Sequence, residues 1–205
     1  MNRRFAVITI CCGGIFALPA CVVAARAQGS APAAVSTAPR SGFRAEFLTE
    51  LTVVQGRLLR LAEAMPAEKF TWRPGEGVRS VSEVFLHVAA ANYNLPGEWS
   101  ATPPVGVVKR GLEKSTTEKS EVIKIMQDSF VYLRSTIASM SDADAEKKVA
   151  WFGGENTYRG LLLFTIRHMA EHLGQSIAYA RMNGVVPPWT TDFEKETKKD
   201  PPKKP

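Results

Sequence analysis

Four stretches of this chain carry apolar residues at steps of three and four, the spacing that places side chains on one face of an α-helix. The first stretch covers residues 47–65 and stops at Pro66, which cannot continue a helix. The second starts at a capping box formed by Ser80 and Glu83, and we expect it to run to about Leu95. Both stretches therefore predict amphipathic helices.

The remaining two stretches cover residues 117–140 and 157–182, and Asn183-Gly184 supplies a C-terminal cap for the last one. No alternation of apolar and polar residues is long enough to predict a strand. Amphipathic helices with one apolar stripe each bury those stripes by packing against one another. The sequence therefore predicts an all-α protein built on a four-helix bundle.

Residues 1–27 have the layout of a secretory signal peptide, in which two arginines precede an apolar stretch and Ala25-Arg26-Ala27 ends it. We expect cleavage after Ala27 and export to the periplasm or the cell exterior. The alternative is a membrane-tethered lipoprotein, because Leu18-Pro19-Ala20-Cys21 resembles a lipobox with Cys21 as the lipidated residue. A proline before the small residue is unusual there, which favours cleavage.

The mature chain is predicted to consist of a flexible linker at 28–42, the bundle at 43–190 and a disordered charged tail at 191–205. All three cysteines lie in the leader, so the mature chain has no thiol ligand or nucleophile. Loss of the three leader arginines lowers the formal charge from +6 to +3. No basic stripe with interleaved aromatic residues is present, so nucleic-acid binding is not expected.

Polar residues interrupt the buried seam of the fourth helix. That seam alternates steps of four and three through Leu161, Thr165, His168, His172, Gln175 and Tyr179. His168 and His172 lie one turn apart on one face and can point at a common centre. His87, the remaining histidine, borders the buried face of the second helix. The three histidines therefore predict a site for one divalent metal ion with an open coordination position, and zinc, nickel or iron would suit it.

Four further residues are candidates for the surroundings of this site. Glu83 lies one turn before His87 and could orient its imidazole, although the capping box already explains this glutamate. Asn94, Gln175 and Tyr179 are candidates for the pocket wall. The alternative for each histidine is that it is an ordinary core or boundary residue, and a metal-free bundle is then expected.

The segment from His168 to His172 also spells H-x-x-E-H, the inverzincin peptidase pattern with Glu171 as the base. That chemistry needs a downstream glutamate ligand within a large domain, but only 33 residues follow His172. Glu171 also points away from the histidine stripe on a helical wheel. The pattern does not support a peptidase.

Several segments together resemble the DinB-like (DinB/YfiT) superfamily over about residues 43–189. They are A-M-P-A-E-K-F-T-W-R-P before the second helix, S-V-S-E-V-F-L-H ending at His87, H-M-A-E-H-L-G-Q in the fourth helix, and Y-A-R-M-N-G-V-V-P-P after it. The resemblance implies a four-helix bundle, a metal site at His87, His168 and His172, and a homodimer. It also implies a family of thiol-dependent transferases and isomerases with many members of unassigned activity.

Two functions remain open on the sequence alone. The first is an exported metalloenzyme that acts on a small molecule, either as a hydrolase or as a thiol-dependent transferase. The second is a non-catalytic, metal-stabilised binding or structural bundle of the cell envelope. A reachable metal site favours the enzyme, and a sealed one favours the structural protein. The sequence identifies neither the substrate nor a general base.

Overall fold

The four predicted helices form the body of the computed structural model, which describes residues 42–99, 101–107 and 110–199. The helices in chain order are α1 (Phe43–Ala64), α2 (Val81–Asn94), α3 (Lys119–Ser139), α4 (Asp142–Ala145), α5 (Tyr158–Met182) and α6 (Pro188–Lys199). The predicted signal peptide, the lipidation alternative at Cys21 and all of the linker except Gly42 lie outside the described residues. No helix within the described ranges is both long and apolar enough to span a membrane.

The start of α2 is fixed by the predicted capping box. The Glu83 backbone N–H donates to the Ser80 hydroxyl at 3.3 Å, and the Ser80 N–H donates to the Glu83 carboxylate at 2.7 Å. The preceding loop is tied to the same turn, because the Val81 N–H donates to the Trp72 carbonyl at 3.0 Å. These bonds satisfy backbone donors that a helix start leaves free, and they set where α2 begins.

The four long helices pack as a bundle in which α1 and α2 each contact both α3 and α5. Consecutive helices α1 and α2 therefore lie at opposite corners. The core between them is mainly apolar, and its largest fully buried side chains are Phe70, Phe85, Phe130, Leu51, Leu58, Leu61, Met65, Leu86, Met126, Leu133, Ile137 and Leu161. The predicted all-α four-helix bundle is confirmed.

The structure adds a β-hairpin that the sequence pattern does not predict. Strands β1 (Lys148–Trp151) and β2 (Gly154–Thr157) pair antiparallel, with Trp151 opposite Gly154. The loop between them is Phe152-Gly153, and both residues have positive φ, 47° and 78°. Two positive φ values fit the tight primed turns of hairpins. Four-residue strands are too short to give a period-two signal, so the turn is their main sequence mark.

The prediction of a disordered tail from residue 191 is corrected by α6. Pro188 begins this helix, where the missing N–H of proline costs nothing. Trp189 packs partly buried against the core, and the Arg57 guanidinium lies 5.7 Å from its ring centre. Asp192 forms an ion pair with Arg60. These contacts with α1 stabilise a helix that the charged composition alone does not favour. Residues 200–205 lie outside the described ranges.

Candidate metal centre

The structure brings the three histidines together at the contact between α2 and α5. One ring nitrogen from each of His87, His168 and His172 lies within 4.8 Å of the others. The ring centres are separated by 4.6 to 4.9 Å, and the Nε2 atoms of His87 and His168 are 3.0 Å apart. The predicted cluster is therefore present, with His168 and His172 on one turn of α5 and His87 opposite them.

Glu113 sets the protonation of the His87 ring. Its Oε1 lies 2.5 Å from His87 Nδ1, and its Oε2 accepts from Arg79 Nε at 2.8 Å. Burial acts to raise the pKa of Glu113, but the hydrogen bonds from Arg79 and His87 outweigh it and lower the pKa below its usual range. An ionised carboxylate can only accept, so His87 Nδ1 carries a proton, and Nε2 is the ring nitrogen that faces His168.

A chain of hydrogen bonds sets the protonation of His172. Tyr179 donates its hydroxyl to the Arg79 carbonyl at 3.2 Å, because a carbonyl can only accept. The tyrosine oxygen can then accept from Gln175 Nε2 at 2.9 Å, which turns Gln175 Oε1 toward His172 Nδ1 at 2.8 Å. His172 therefore also holds its proton on Nδ1 and has a free lone pair on Nε2.

The third ring completes the donor set. Burial lowers the pKa of His168 to about 4, with smaller effects from the neighbouring His172 and His87, and burial also lowers the pKa of His172. Both rings are therefore neutral at pH 7, the form that coordinates metals. His168 Nδ1 is buried with no hydrogen-bond partner among the residues that the structure describes. Three ring nitrogens that converge at such short range fit a bound cation.

The other predicted neighbours of the site divide into two groups. Gln175 and Tyr179 lie in the hydrogen-bonded chain that reaches His172. Asn94 does not take part, because it is exposed at the last residue of α2, two turns beyond His87. Glu83 bonds to Ser80 and forms an ion pair with Arg73 at 3.3 Å. Its role is therefore the helix cap, and the partner of His87 is Glu113.

Glu113 is the site residue that sequence reasoning misses. It lies 26 residues beyond His87, in a short 3₁₀ turn (Leu112–Lys114) that packs against α2. Gly111 precedes this turn with a φ of 80°, a left-handed conformation that glycine adopts without strain. A loop residue has no periodicity that links it to a helix face. The one available signal is a turn glycine directly before an apolar residue, Leu112, which is buried.

Aromatic residues cover one side of the site. The Phe164 ring stacks on His168 with ring centres 6.0 Å apart, and Trp151 of β1 meets Phe164 edge-on at 5.3 Å. Glu171 of the peptidase pattern is exposed and lies 3.4 Å from Arg167, so it does not face the histidines. The hairpin thus supplies a wall beside the three histidines, and the peptidase pattern is coincidental.

A cavity of about 560 Å³ lies on another side of the site. Its lining includes Glu113 and Gln175, the two residues that hold the Nδ1 protons of His87 and His172. The three histidines are themselves half-buried, with 22% of the His87 side chain exposed. The cluster therefore lies next to a space that a small molecule can enter.

Comparisons with known proteins agree with this architecture. A family model described as the DinB superfamily matches residues 50–176, a span that includes all three histidines. The solved structure of a DinB-like protein from Bacillus cereus aligns with a TM-score of 0.59 at 16% identity, covering 69% of this chain and 93% of that one. A DinB-like protein from Bacillus subtilis aligns with a TM-score of 0.52 at 16% identity, covering 68% and 92%. At this identity the two structures share the fold. No curated protein matches the sequence.

Proposed function

The chain belongs to the DinB superfamily, and from that premise we propose that it binds one divalent metal ion and uses it to act on a small molecule. His87, His168 and His172 would hold the ion through their Nε2 atoms. The reaction is proposed to be hydrolysis, with thiol-dependent transfer as the alternative that the family suggests. A three-histidine set suits zinc, nickel or iron.

The observation that carries this proposal is the convergence of three imidazoles, two of which have a proton held away from the centre by an outer partner. Glu113 and Gln175 keep the Nδ1 protons of His87 and His172 on the outside, so the Nε2 atoms are left to bind an ion. Outer partners of this kind orient metal-binding histidines and fix their tautomer. A bound ion would supply a Lewis acid that lowers the pKa of a coordinated water or substrate heteroatom.

The surroundings of the site support a catalytic role over a purely structural one. A structural ion is expected in a closed site with all its positions filled by the protein. Here the described residues supply three ligands, and a cavity adjoins Glu113 and Gln175, the outer partners of two of them. The non-catalytic bundle remains the second candidate, and it predicts that an added ligand does not reach the ion.

Metal analysis of untagged protein tests the proposal. We expect about one equivalent of zinc, nickel or iron per chain, which His168→Ala loses. Glu171→Ala is the matched control on the same helix turn, and we expect it to keep its metal because Glu171 is exposed and faces Arg167. Protein that takes up none of the three ions after dialysis, or that keeps a full equivalent in His168→Ala, would refute the proposal.

The working place and assembly of the protein are proposals that rest on the sequence. We propose that the chain is exported, with Gln28 as the first residue of the mature protein. N-terminal sequencing of protein from the host envelope would identify this residue, and a lipid on Cys21 would instead show anchoring. We also propose a homodimer, which a sedimentation measurement of the mature chain would test.

A further inference from the structure

We infer that the cavity beside the three histidines binds the carboxylate group of a small-molecule substrate, with Arg79 and Lys114 as its partners. This inference rests on the proposed function, because it names the class of molecule that the metal centre would act on. It depends on three features of the cavity: its position, its free hydrogen-bond donors and its charge.

The position of the cavity links it to the metal centre. Glu113 and Gln175 both line the cavity. Glu113 bonds to His87, and Gln175 bonds to His172. A molecule in the cavity is thus one side chain away from two of the three histidines. A volume of about 560 Å³ lies in the range of small-molecule sites.

Arg79 brings unused donors to this space. Its Nε donates to Glu113, and within the described residues its two terminal nitrogens have no hydrogen-bond partner. Its side chain is 41% exposed. The guanidinium fork can bind a carboxylate with both terminal nitrogens. Because Nε is a different atom, such binding can leave the bond to Glu113 in place.

Lys114 provides the second free cation. Its ammonium group makes no hydrogen bond or ion pair in the part of the chain that the structure describes, and the residue is exposed at the cavity. By contrast, Arg73 on the same wall is engaged, because it donates to the Val78 carbonyl at 2.9 Å and lies 3.3 Å from the Glu83 carboxylate. Lys114 is therefore the cation of this wall that forms no contact ion pair among the described residues, although its charge also acts on the Glu83 carboxylate.

The charge of the lining favours an anion. Arg73 is balanced by Glu83, and Arg79 is balanced by Glu113, which leaves the positive charge of Lys114. The three histidine ligands are uncharged when they hold a metal, so they add no negative charge to repel an anion. A carboxylate complements this excess better than a neutral group does, and a bound divalent ion would add to the positive charge.

Titration of the protein with acetate tests the inference, and acetamide is the matched neutral probe. Both are added to ¹⁵N-labelled, EDTA-treated protein, so that no ion can capture the acetate. We expect acetate, but not acetamide, to give saturable NMR shifts at the Arg79 side chain and at the amides of residues 113–115.

Lys114→Met should weaken acetate binding about tenfold, the loss typical of one charge-assisted hydrogen bond. Lys124→Met is the control, because Lys124 is also exposed but pairs with Asp128 on α3. The affinity of this variant for acetate should stay at the wild-type value. Equal shifts with acetate and acetamide, or an unchanged dissociation constant in Lys114→Met, would overturn the inference. Because this titration uses metal-free protein, its failure is distinct from a failure to bind metal.

Discussion

The carboxylate of Glu113 connects the Arg79 guanidinium to the imidazole of His87. We expect Glu113→Gln to weaken metal binding roughly 10- to 100-fold, the usual cost of losing an outer partner of a metal ligand. The amide can still accept from Nδ1, but it lacks the negative charge that makes the imidazole a stronger donor to the ion. Competition with a chromophoric chelator would measure the affinity.

Glu83→Gln is the matched control for this change. Glu83 lines the same cavity, but its carboxylate bonds to the Ser80 N–H rather than to a histidine. An amide oxygen can replace that cap, so we expect metal affinity within about twofold of wild type and only a small loss of stability. Equal losses of affinity in the two variants would show that His87 does not depend on Glu113.

At the residue scale, helical spacing predicts most of the candidate site. His168, His172, Gln175 and Tyr179 follow from a single seam, because helix geometry alone puts them on one face. His87 follows from its place at the edge of the buried stripe of α2. Glu113 and Arg79 do not follow, since both lie in irregular segments whose position is set by tertiary packing.

At the element scale, the hairpin turn carries a residue that its backbone conformation disfavours. Phe152 has a φ of 47°, and its side chain is 85% exposed. A bulky side chain is strained in this region, whereas asparagine tolerates it and is preferred before glycine in such turns. We expect Phe152→Asn to be more stable than Phe152→Ala by about 1 kcal/mol. Both variants lose the phenyl ring, so the difference between their free energies of unfolding reflects the backbone conformation of the turn. Urea unfolding would measure this difference.

Val131 offers the opposite comparison. It is 67% exposed within α3, where alanine is favoured over asparagine by roughly 0.5 kcal/mol. We therefore expect Val131→Ala to be more stable than Val131→Asn, reversing the order found at the turn. If Phe152→Ala is more stable than Phe152→Asn, residue 152 does not hold the left-handed conformation in the turn.

The elements differ in how well sequence predicts them. The long helices are predicted within a few residues because each presents several turns of one repeating stripe. The hairpin between Lys148 and Thr157 is not, because its strands are too short to show a period. The helix at Pro188–Lys199 is not predicted either, since contacts of Trp189 and Asp192 with α1 stabilise it against its charged composition.

At the scale of the whole molecule, metal binding should stabilise the folded chain, because the complete site exists only in the bundle. An ion at 100 times its dissociation constant adds about 2.7 kcal/mol to the free energy of unfolding. For a domain of this size the melting temperature should rise by roughly 5–10 °C. Scanning calorimetry with and without EDTA would measure the change.

His168→Ala should melt at one temperature whether or not the ion is present. Magnesium should leave the wild-type melting temperature unchanged, because it prefers oxygen ligands to imidazole. A similar rise in His168→Ala, or with magnesium, would place the stabilising ion elsewhere on the molecule.

The arrangement of the helices in the bundle, with α1 and α2 at opposite corners, is the part of the fold that apolar stripes cannot predict. Each stripe shows that a helix packs against other helices, but it does not show which of them are its neighbours.

The separation of His87 and His168 by 81 residues has a consequence for the order of events in time. His168 and His172 approach one another as soon as α5 forms, whereas His87 arrives only when α2 docks on it. Contacts between distant parts of a chain form late in folding. The ion would therefore be taken up by a protein that is already folded. Which ion is bound would then reflect the compartment in which folding finishes as much as the ligands themselves.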